Sequence, residues 1–210
     1  MMRIESGIFT TALFTALLLP AMAAAQYSFG ATGGWSRTNW SDIGDLMEFE
    51  AKQSYAIGLF ADRAFSEDLS VRVELLYHRK GAGDTQRAVD EDNNDLGEAS
   101  FYFNTDYLQF PLLLEYRLAS GAQTRPFVVA GIAPAFEVSS EIETDVPGQE
   151  EVSDYNELTT GYDLGVILGG GVWTRAFDRD MALEIRYEIG TIEVYSEAKN
   201  SALSVLGAVA

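Results

Sequence analysis

Charged side chains of both signs alternate with apolar ones in several segments, which makes them candidates for ion pairing or for moving protons or ions. The set comprises Arg72, Glu74, Glu115, Asp163, Glu184, Arg186 and Glu188. Because successive side chains of a strand point to opposite faces, each segment places its charges on one face and its apolar residues on the other. Enclosed charges would have to pair, since an unpaired buried charge is costly. The pattern predicts a structural network of ion pairs, with a proton or ion path as the alternative.

A second group of candidates is acidic and lies in predicted loops. One loop contains Asp90, Asp92, Asp95 and Glu98, and another, residues 139–160, contains seven carboxylates. Calcium binds carboxylate oxygens, so the first group is a candidate divalent-metal site. The run from Asp90 does not fit an EF-hand, because its sixth position is Asp95 rather than glycine. We interpret both loops as solvated and self-repelling, with ion binding as the alternative.

No constellation of catalytic residues stands out. His78 is the only histidine, and no Gly-x-Ser-x-Gly motif accompanies it. The glycine-rich run at residues 165–171 is not followed by the Lys-Ser or Lys-Thr of a phosphate loop, so we interpret it as close packing within a strand. The absence of cysteine excludes disulfides and thiolate metal sites. We therefore predict that the protein is not an enzyme and has no cofactor.

The N-terminus has the order of an export signal. Arg3 precedes an apolar run at residues 8–19, which is too short for a spanning helix, and the small residues Ala23 and Ala25 follow. This predicts a signal peptide at residues 1–25, with cleavage before Gln26, and one domain at residues 26–210. The formal charge of −18 argues against a nucleic-acid partner.

The rest of the chain alternates with period two in eight segments, which predicts about eight strands of the length that a tilted membrane strand needs. The strongest series contain Val71 to Tyr77, Leu108 to Tyr116 and Met181 to Ile189. Three short connections, at residues 64–68, 119–125 and 176–180, alternate with four long ones, at residues 36–53, 81–99, 139–160 and 191–201. Short turns at one end and long loops at the other are typical of an outer-membrane barrel.

Alternation alone does not decide which face points outward, because a soluble ligand-carrying barrel puts its apolar face inside. Aromatic residues near the ends of the apolar series favour a membrane barrel, where they would form interfacial girdles. These residues are Tyr77, Tyr116, Tyr162 and Tyr187. The fold class we predict is all-β: a single antiparallel up-and-down transmembrane barrel of about eight strands.

Five segments, in order, resemble the PorT-like outer membrane protein β-barrel family. DYLQFPLLLEYRL, from Asp106, is similar to that family's Tyr-Leu-x-Ile-Pro-Leu-Leu-Leu-x-Tyr stretch, and LSVRVELLYHRKG, from Leu69, is similar to its strand ending in Leu-Tyr-x-x-Lys-Gly. RPFVVAGIAPAF, DLGVILGGGVW and LEIRYEIG follow in the expected order. The resemblance covers most of the chain after the signal and implies a barrel in the outer membrane of a Gram-negative bacterium.

The function we predict is that of a monomeric structural or interaction protein that presents acidic loops at the cell surface. Its partners would be outer-membrane lipid and an extracellular ligand or protein at those loops. One alternative is a narrow channel or a transport- or secretion-linked membrane component. The other is a secreted, soluble ligand-binding barrel.

Overall fold

The computed structural model describes residues 27–41, 50–89, 95–118, 123–146, 149–154, 159–195 and 198–210. The predicted signal peptide lies outside these residues. Ten strands account for nearly all of the described chain, in agreement with the period-two patterning. They are β1 (Tyr27–Ser41), β2 (Glu50–Ala64), β3 (Leu69–Val89), β4 (Asp95–Gln109), β5 (Leu112–Arg117), β6 (Thr124–Val146), β7 (Gln149–Asp154), β8 (Tyr162–Ala176), β9 (Arg179–Tyr195) and β10 (Ala198–Val209). No helix in this part of the chain is long and apolar enough to cross a membrane.

The strands close into an antiparallel ring. Starting at β2, the order is β2-β1-β10-β9-β8-β6-β4-β3, and β2 pairs with β3 to complete the circle. Strand β5 also pairs with β3 and β6, so it occupies the same position in the wall as β4. The wall therefore has eight strand positions, and the predicted fold class is confirmed.

One predicted strand is divided in two at Pro111. Proline has no N–H to donate to a ladder, and β4 ends at Gln109 while β5 begins at Leu112. The break is bridged by backbone bonds from Glu74 N to the Pro111 carbonyl and from Phe110 N to the Pro134 carbonyl, 2.9 and 2.8 Å long. The alternation of side chains continues across the interruption, so Leu113 and Glu115 stay on the inner face.

The apolar face of the wall points outward. Val73, Leu112 and Ile132 lie next to one another on β3, β5 and β6, and each side chain is exposed. Leu113 and Glu115, which alternate with Leu112, are completely buried. An outer surface of this kind would be unfavourable in water but suits contact with acyl chains.

The predicted long connections are wrong over much of their length, because the strands continue into them. β1 runs to Ser41 and β2 starts at Glu50; β3 runs to Val89 and β4 starts at Asp95; β9 runs to Tyr195 and β10 starts at Ala198. In the predicted loop at residues 139–160, β6 continues to Val146 and β7 pairs back onto it. Backbone pairing needs no apolar alternation, so the side-chain pattern does not report these extensions.

The extensions of three strands form, together with β7, a sheet beyond the closed wall, which we call the arm. The arm consists of residues 84–89 of β3, 95–101 of β4, 140–146 of β6, and β7. Among the described residues, the ladder between β2 and β3 ends at Glu50 and Gly83, and the arm lies beyond that level. At the opposite end the connections are short: Phe177 and Asp178 form a two-residue turn with positive φ angles of 51° and 58°, as a type I′ hairpin requires.

Candidate functional site

The interior of the ring near the short-turn end is organised around Arg72 of β3. Its guanidinium donates to Glu115, and it donates to Glu184 over 2.8 Å. The rings of Phe60, Phe127 and Trp173 surround the same guanidinium, with centroids 5.5–5.6 Å away. Arg72 is 1% exposed, so these contacts stand in for the water that its charge has lost.

A second arginine extends the network toward the middle of the barrel. Arg186 of β9 donates two bonds of 2.6 Å to the two oxygens of Glu74, a bidentate pair across the lumen. Its Nε donates to Glu184, which also accepts from Arg72. Glu184 therefore links the two guanidiniums. Such bidentate, charge-assisted bonds fix geometry as well as charge.

Two further residues complete what we call the Arg72 cluster. Asp62 of β2 accepts a bond of 3.0 Å from Ser70, and Arg117 of β5 donates to Glu115 over 3.0 Å. Arg117 Nη2 also lies 3.7 Å from Asp62. The cluster thus contains three guanidiniums and four carboxylates. These are Arg72, Arg117 and Arg186, with Asp62, Glu74, Glu115 and Glu184.

Nearer the arm, a second group of charges centres on Lys80 of β3, and we call it the Lys80 cluster. The Lys80 ammonium donates to Glu188 over 2.7 Å and to Asp163 over 3.1 Å. Asn200 donates to the same oxygen of Asp163 over 3.1 Å and to the Tyr107 hydroxyl over 3.3 Å. All these side chains are buried.

His78 connects the Lys80 cluster to the wall and has the surroundings of a structural residue. Its two ring nitrogens lie 3.1 Å from Ser36 Oγ and 3.1 Å from the side-chain Oε1 of Gln109. Gln109 in turn donates to Glu188 over 2.7 Å. Because both ring nitrogens are engaged and the imidazole is 2% exposed, His78 is not presented to a substrate.

Apolar groups pack against the two clusters and cover them. Leu113, opposite Arg72, packs with Ala133 and with Ile167, which is opposite Glu188. A cavity of about 10 Å³ beside Ile167 has room for about one water molecule. Phe60, Phe127 and Trp173 fill the short-turn end, and Trp40, Ala82, Ala198 and Phe103 fill the end nearest the arm. Along its described length the lumen is therefore packed with side chains, as expected for eight strands.

Glycines of β8 make room for this packing. An ideal Cβ at Gly165 would lie 2.7 Å from Cγ of Glu188, and one at Gly171 would lie 2.7 Å from the Phe127 ring. Such contacts are too short for any larger side chain. The glycine-rich run thus serves the interior: it lets Glu188 reach Lys80 and lets Phe127 close the short-turn end.

The structure brings the seven predicted charged residues into the lumen and divides them between the clusters. Five of them, Arg72, Glu74, Glu115, Glu184 and Arg186, belong to the Arg72 cluster, while Asp163 and Glu188 belong to the Lys80 cluster. Four further members of the clusters were not predicted from the sequence: Lys80, Asp62, Arg117 and Asn200. Lys80 has the same parity as Arg72 and Glu74 along β3, so strict counting along that strand would have found it.

Of the four candidate metal residues, the structure describes only the backbone of two. Asp90 and Asp92 lie outside the described residues. The backbone of Asp95 and Glu98 belongs to β4, opposite Val89 and Arg87. Among the described residues, no group of three or more histidine, aspartate or glutamate side chains could hold a metal ion.

A comparison with protein families gives a match over most of the chain. The profile of the family described as "Outer membrane protein beta-barrel domain" matches residues 23–195. No curated protein matches the sequence.

A comparison with solved structures finds similar chains at low sequence identity. Neisserial surface protein A is 13% identical, with 88% of this chain and 98% of that one covered and a TM-score of 0.47. Ail, the attachment invasion locus protein of Yersinia pestis, is 13% identical, with 86% and 95% covered and a TM-score of 0.41. The outer membrane protein OprG from Pseudomonas aeruginosa is 11% identical, with 87% and 95% covered and a TM-score of 0.43.

Proposed function

Since the chain belongs to the outer membrane protein β-barrel domain family, we propose that it is a closed barrel that holds an acidic sheet, the arm, at the cell surface as an interaction surface. The protein is a small β-barrel of the outer membrane of a Gram-negative bacterium. In such barrels the short turns face the periplasm and the long connections face outward. The arm therefore projects from the extracellular end.

The observation that carries this proposal is the filled lumen. The Arg72 and Lys80 clusters pair their charges across the interior, and aromatic residues cover both ends. A conducting path would have to break ion pairs in a medium where unpaired charge is costly. The barrel is thus better suited to being an anchor than a pore. A narrow channel is the alternative, and a conductance measurement would detect it.

The strand lengths and the charge of the arm support its role as the interaction surface. β3 has 21 residues and β6 has 23, whereas a membrane strand needs about 9–11. Residues 141–154 of β6 and β7 contain Glu141, Glu143, Asp145, Glu150, Glu151 and Asp154 and no basic residue. The arm would attract a cationic ligand or protein surface and repel acidic ones.

We further propose an export signal, a monomeric state and a narrower family relationship, each of which the sequence predicts. Residues 1–25 form a cleaved export signal, the mature protein is a monomer in contact with outer-membrane lipid, and the family relationship is to the PorT-like group. The closed ring supports the monomer, because it leaves no open edge at the level of the wall for another copy to pair with.

The proposal is tested by comparing the intact protein with a variant whose residues 144–159 are replaced by a short Gly-Ser linker. Both proteins should show heat-modifiable gel mobility, because the deletion keeps β4 paired with β6 up to Glu143. Changing the loop length costs little, about 0.6 kcal/mol per doubling. Neither protein should give single-channel steps in planar bilayers in which an open porin conducts.

Two results would contradict the proposal. Discrete conductance by the folded, intact protein would favour the channel instead. Loss of the folded band in the variant would show that the tip of the arm is part of the scaffold and not a separable interaction surface.

A further inference from the structure

Among the described residues, β7 is held to the arm by a single ladder, which it forms with β6. Two cross-strand pairs of this ladder place acidic residues directly opposite each other. Glu141 of β6 is opposite Asp154 of β7, and Asp145 is opposite Glu150. Like charges directly opposite each other destabilise an antiparallel ladder. This short ladder therefore contains two repulsive pairs.

The other ladders of the described strands follow the opposite rule. In their registers, no charged residue is directly opposite another of the same sign. Repulsion between directly opposed charges is thus confined to the ladder that holds β7. Elsewhere the charges that face each other have opposite signs: Asp62 with Arg72, Arg79 with Asp106, Arg87 with Glu98, Arg175 with Asp180, and Glu193 with Lys199.

The ladder on the other side of β6 supplies no countercharge to the repulsive pairs. In β4, the uncharged residues Ser100 and Asn104 are opposite Asp145 and Glu141. Residues 141–154 contain no basic residue. The acidic pairs therefore have no cation as a cross-strand neighbour on either side of β6.

The cation Lys52 of β2 interacts with a different residue of this stretch. Its electrostatic partner is Glu143, which is opposite Val152 and belongs to neither repulsive pair. Glu141 is exposed, so ions in solution can reach it. Salt screens repulsion between exposed charges, and the strength of the repulsion in this ladder therefore depends on ionic strength.

The position of β7 makes its pairing sensitive to such repulsion. β7 has six residues and lies at the margin of the arm, and peripheral elements of a fold open at a low cost in free energy. We propose that charge screening controls the pairing of β7. β7 pairs with β6 when the opposed carboxylates are screened or bound by cations, and it separates from β6 at low ionic strength.

The consequence is a choice between two edges of the arm. With β7 paired, β7 forms this margin; with β7 separated, residues 141–146 of β6 form it and present unpaired backbone groups. A cationic partner that binds the opposed carboxylates would favour the paired state, as any ligand favours the state that it binds better. The charge control of β7 goes beyond the proposed function and does not depend on what the arm binds.

The test is hydrogen exchange of residues 149–154, measured by mass spectrometry on the full chain folded in neutral detergent. Protection is expressed relative to an unstructured peptide of the same sequence, which removes direct effects of salt and charge on the exchange reaction. At low ionic strength, the double variant Glu150→Gln, Asp154→Asn should be protected about tenfold more than the intact protein, since each opposed pair accounts for about threefold. In about 1 M NaCl, where the Debye length falls to about 3 Å, the intact protein should approach the protection of the variant.

Glu151→Gln is the matched control for the single variant Glu150→Gln. The two residues are adjacent in β7 and lose the same charge, but Glu151 is opposite the uncharged Thr144. Glu150→Gln should raise the protection about threefold at low ionic strength, while Glu151→Gln should leave it nearly unchanged. All variants should keep heat-modifiable mobility, because the substitutions lie outside the closed wall.

Two results would overturn the proposal. Equal increases in protection in the two single variants would show that total charge, and not the direct opposition of Asp145 and Glu150, sets the pairing. Protection of β7 that neither the double variant nor salt changes would show that the ladder is indifferent to its charges. Both results are independent of the conductance and deletion experiments that test the proposed function.

Discussion

Replacing Arg72 by methionine should lower the free energy of unfolding by about 3–5 kcal/mol, the usual cost of removing one partner from a buried ion pair. Methionine can occupy the space between Phe60, Phe127 and Trp173, so the loss should come mainly from charge. Without the guanidinium, Glu115 and Glu184 each lose a donor. The Arg72 cluster would then contain two guanidiniums and four carboxylates. Urea titrations of the protein folded into lipid vesicles measure the change.

Glu115→Gln is the informative control, because it removes charge from the same cluster with the opposite sign. It leaves three guanidiniums and three carboxylates, so the cluster becomes neutral. The side-chain amide of glutamine accepts hydrogen bonds at its oxygen but not at its nitrogen. One of the two bonds from Arg72 and Arg117 is therefore lost, and a cost of about 1–3 kcal/mol is expected. A methionine variant as stable as the parent would mean that the cluster does not hold the wall together. A glutamine variant less stable than the methionine one would mean that charge imbalance is not the main cause of the loss.

Leu112→Arg should destabilise the barrel by about 2–4 kcal/mol, the cost of a cation facing lipid near the middle of the membrane. Leu112 is 47% exposed and lies between Val73 and Ile132, which are also exposed. In a water-soluble protein the same change at a half-exposed site would cost about 0.5 kcal/mol or less. The size of the effect therefore separates a membrane barrel from a soluble one. Unfolding titrations in vesicles provide the measurement.

Thr85→Arg introduces the same side chain on the arm, outside the apolar band. Thr85 is exposed and lies opposite Ser100, so its replacement should change stability by about 0.5 kcal/mol or less. If both substitutions were neutral, the apolar face would not be in contact with lipid. If both were equally harmful, the effect would not be specific to the membrane band.

The sequence predicts the strands of the wall well because a single physical requirement acts on all of their residues. Every residue between the two girdles faces either lipid or a packed lumen, so Leu112 and Leu114 must be apolar while Glu115 is turned inward and can be charged. The same rule identifies both faces of β3 and β9. It also identifies the seven charged residues that the structure places in the interior.

The pairing of those charges could not be predicted. Arg186 and Glu74 are 112 positions apart in the chain, and they meet because β9 and β3 face each other across the lumen. That relationship depends on strand register and barrel closure, which the alternation does not specify. The arm was missed for a related reason. Beyond Lys80, β3 continues as Gly81, Ala82 and Gly83, where backbone pairing sustains the strand without an apolar face.

In this barrel the apolar face meets lipid while the charged face is closed inside, and a spin label at Leu112 distinguishes the two environments. The chain has no cysteine, so Leu112→Cys carries a single nitroxide after folding into vesicles. We expect high accessibility to oxygen and low accessibility to a water-soluble nickel reagent, while Leu113→Cys, on the packed inner face, should resist labelling. High nickel accessibility at position 112, or ready labelling at position 113, would mean that the apolar face is not in lipid or that the inner face is not packed.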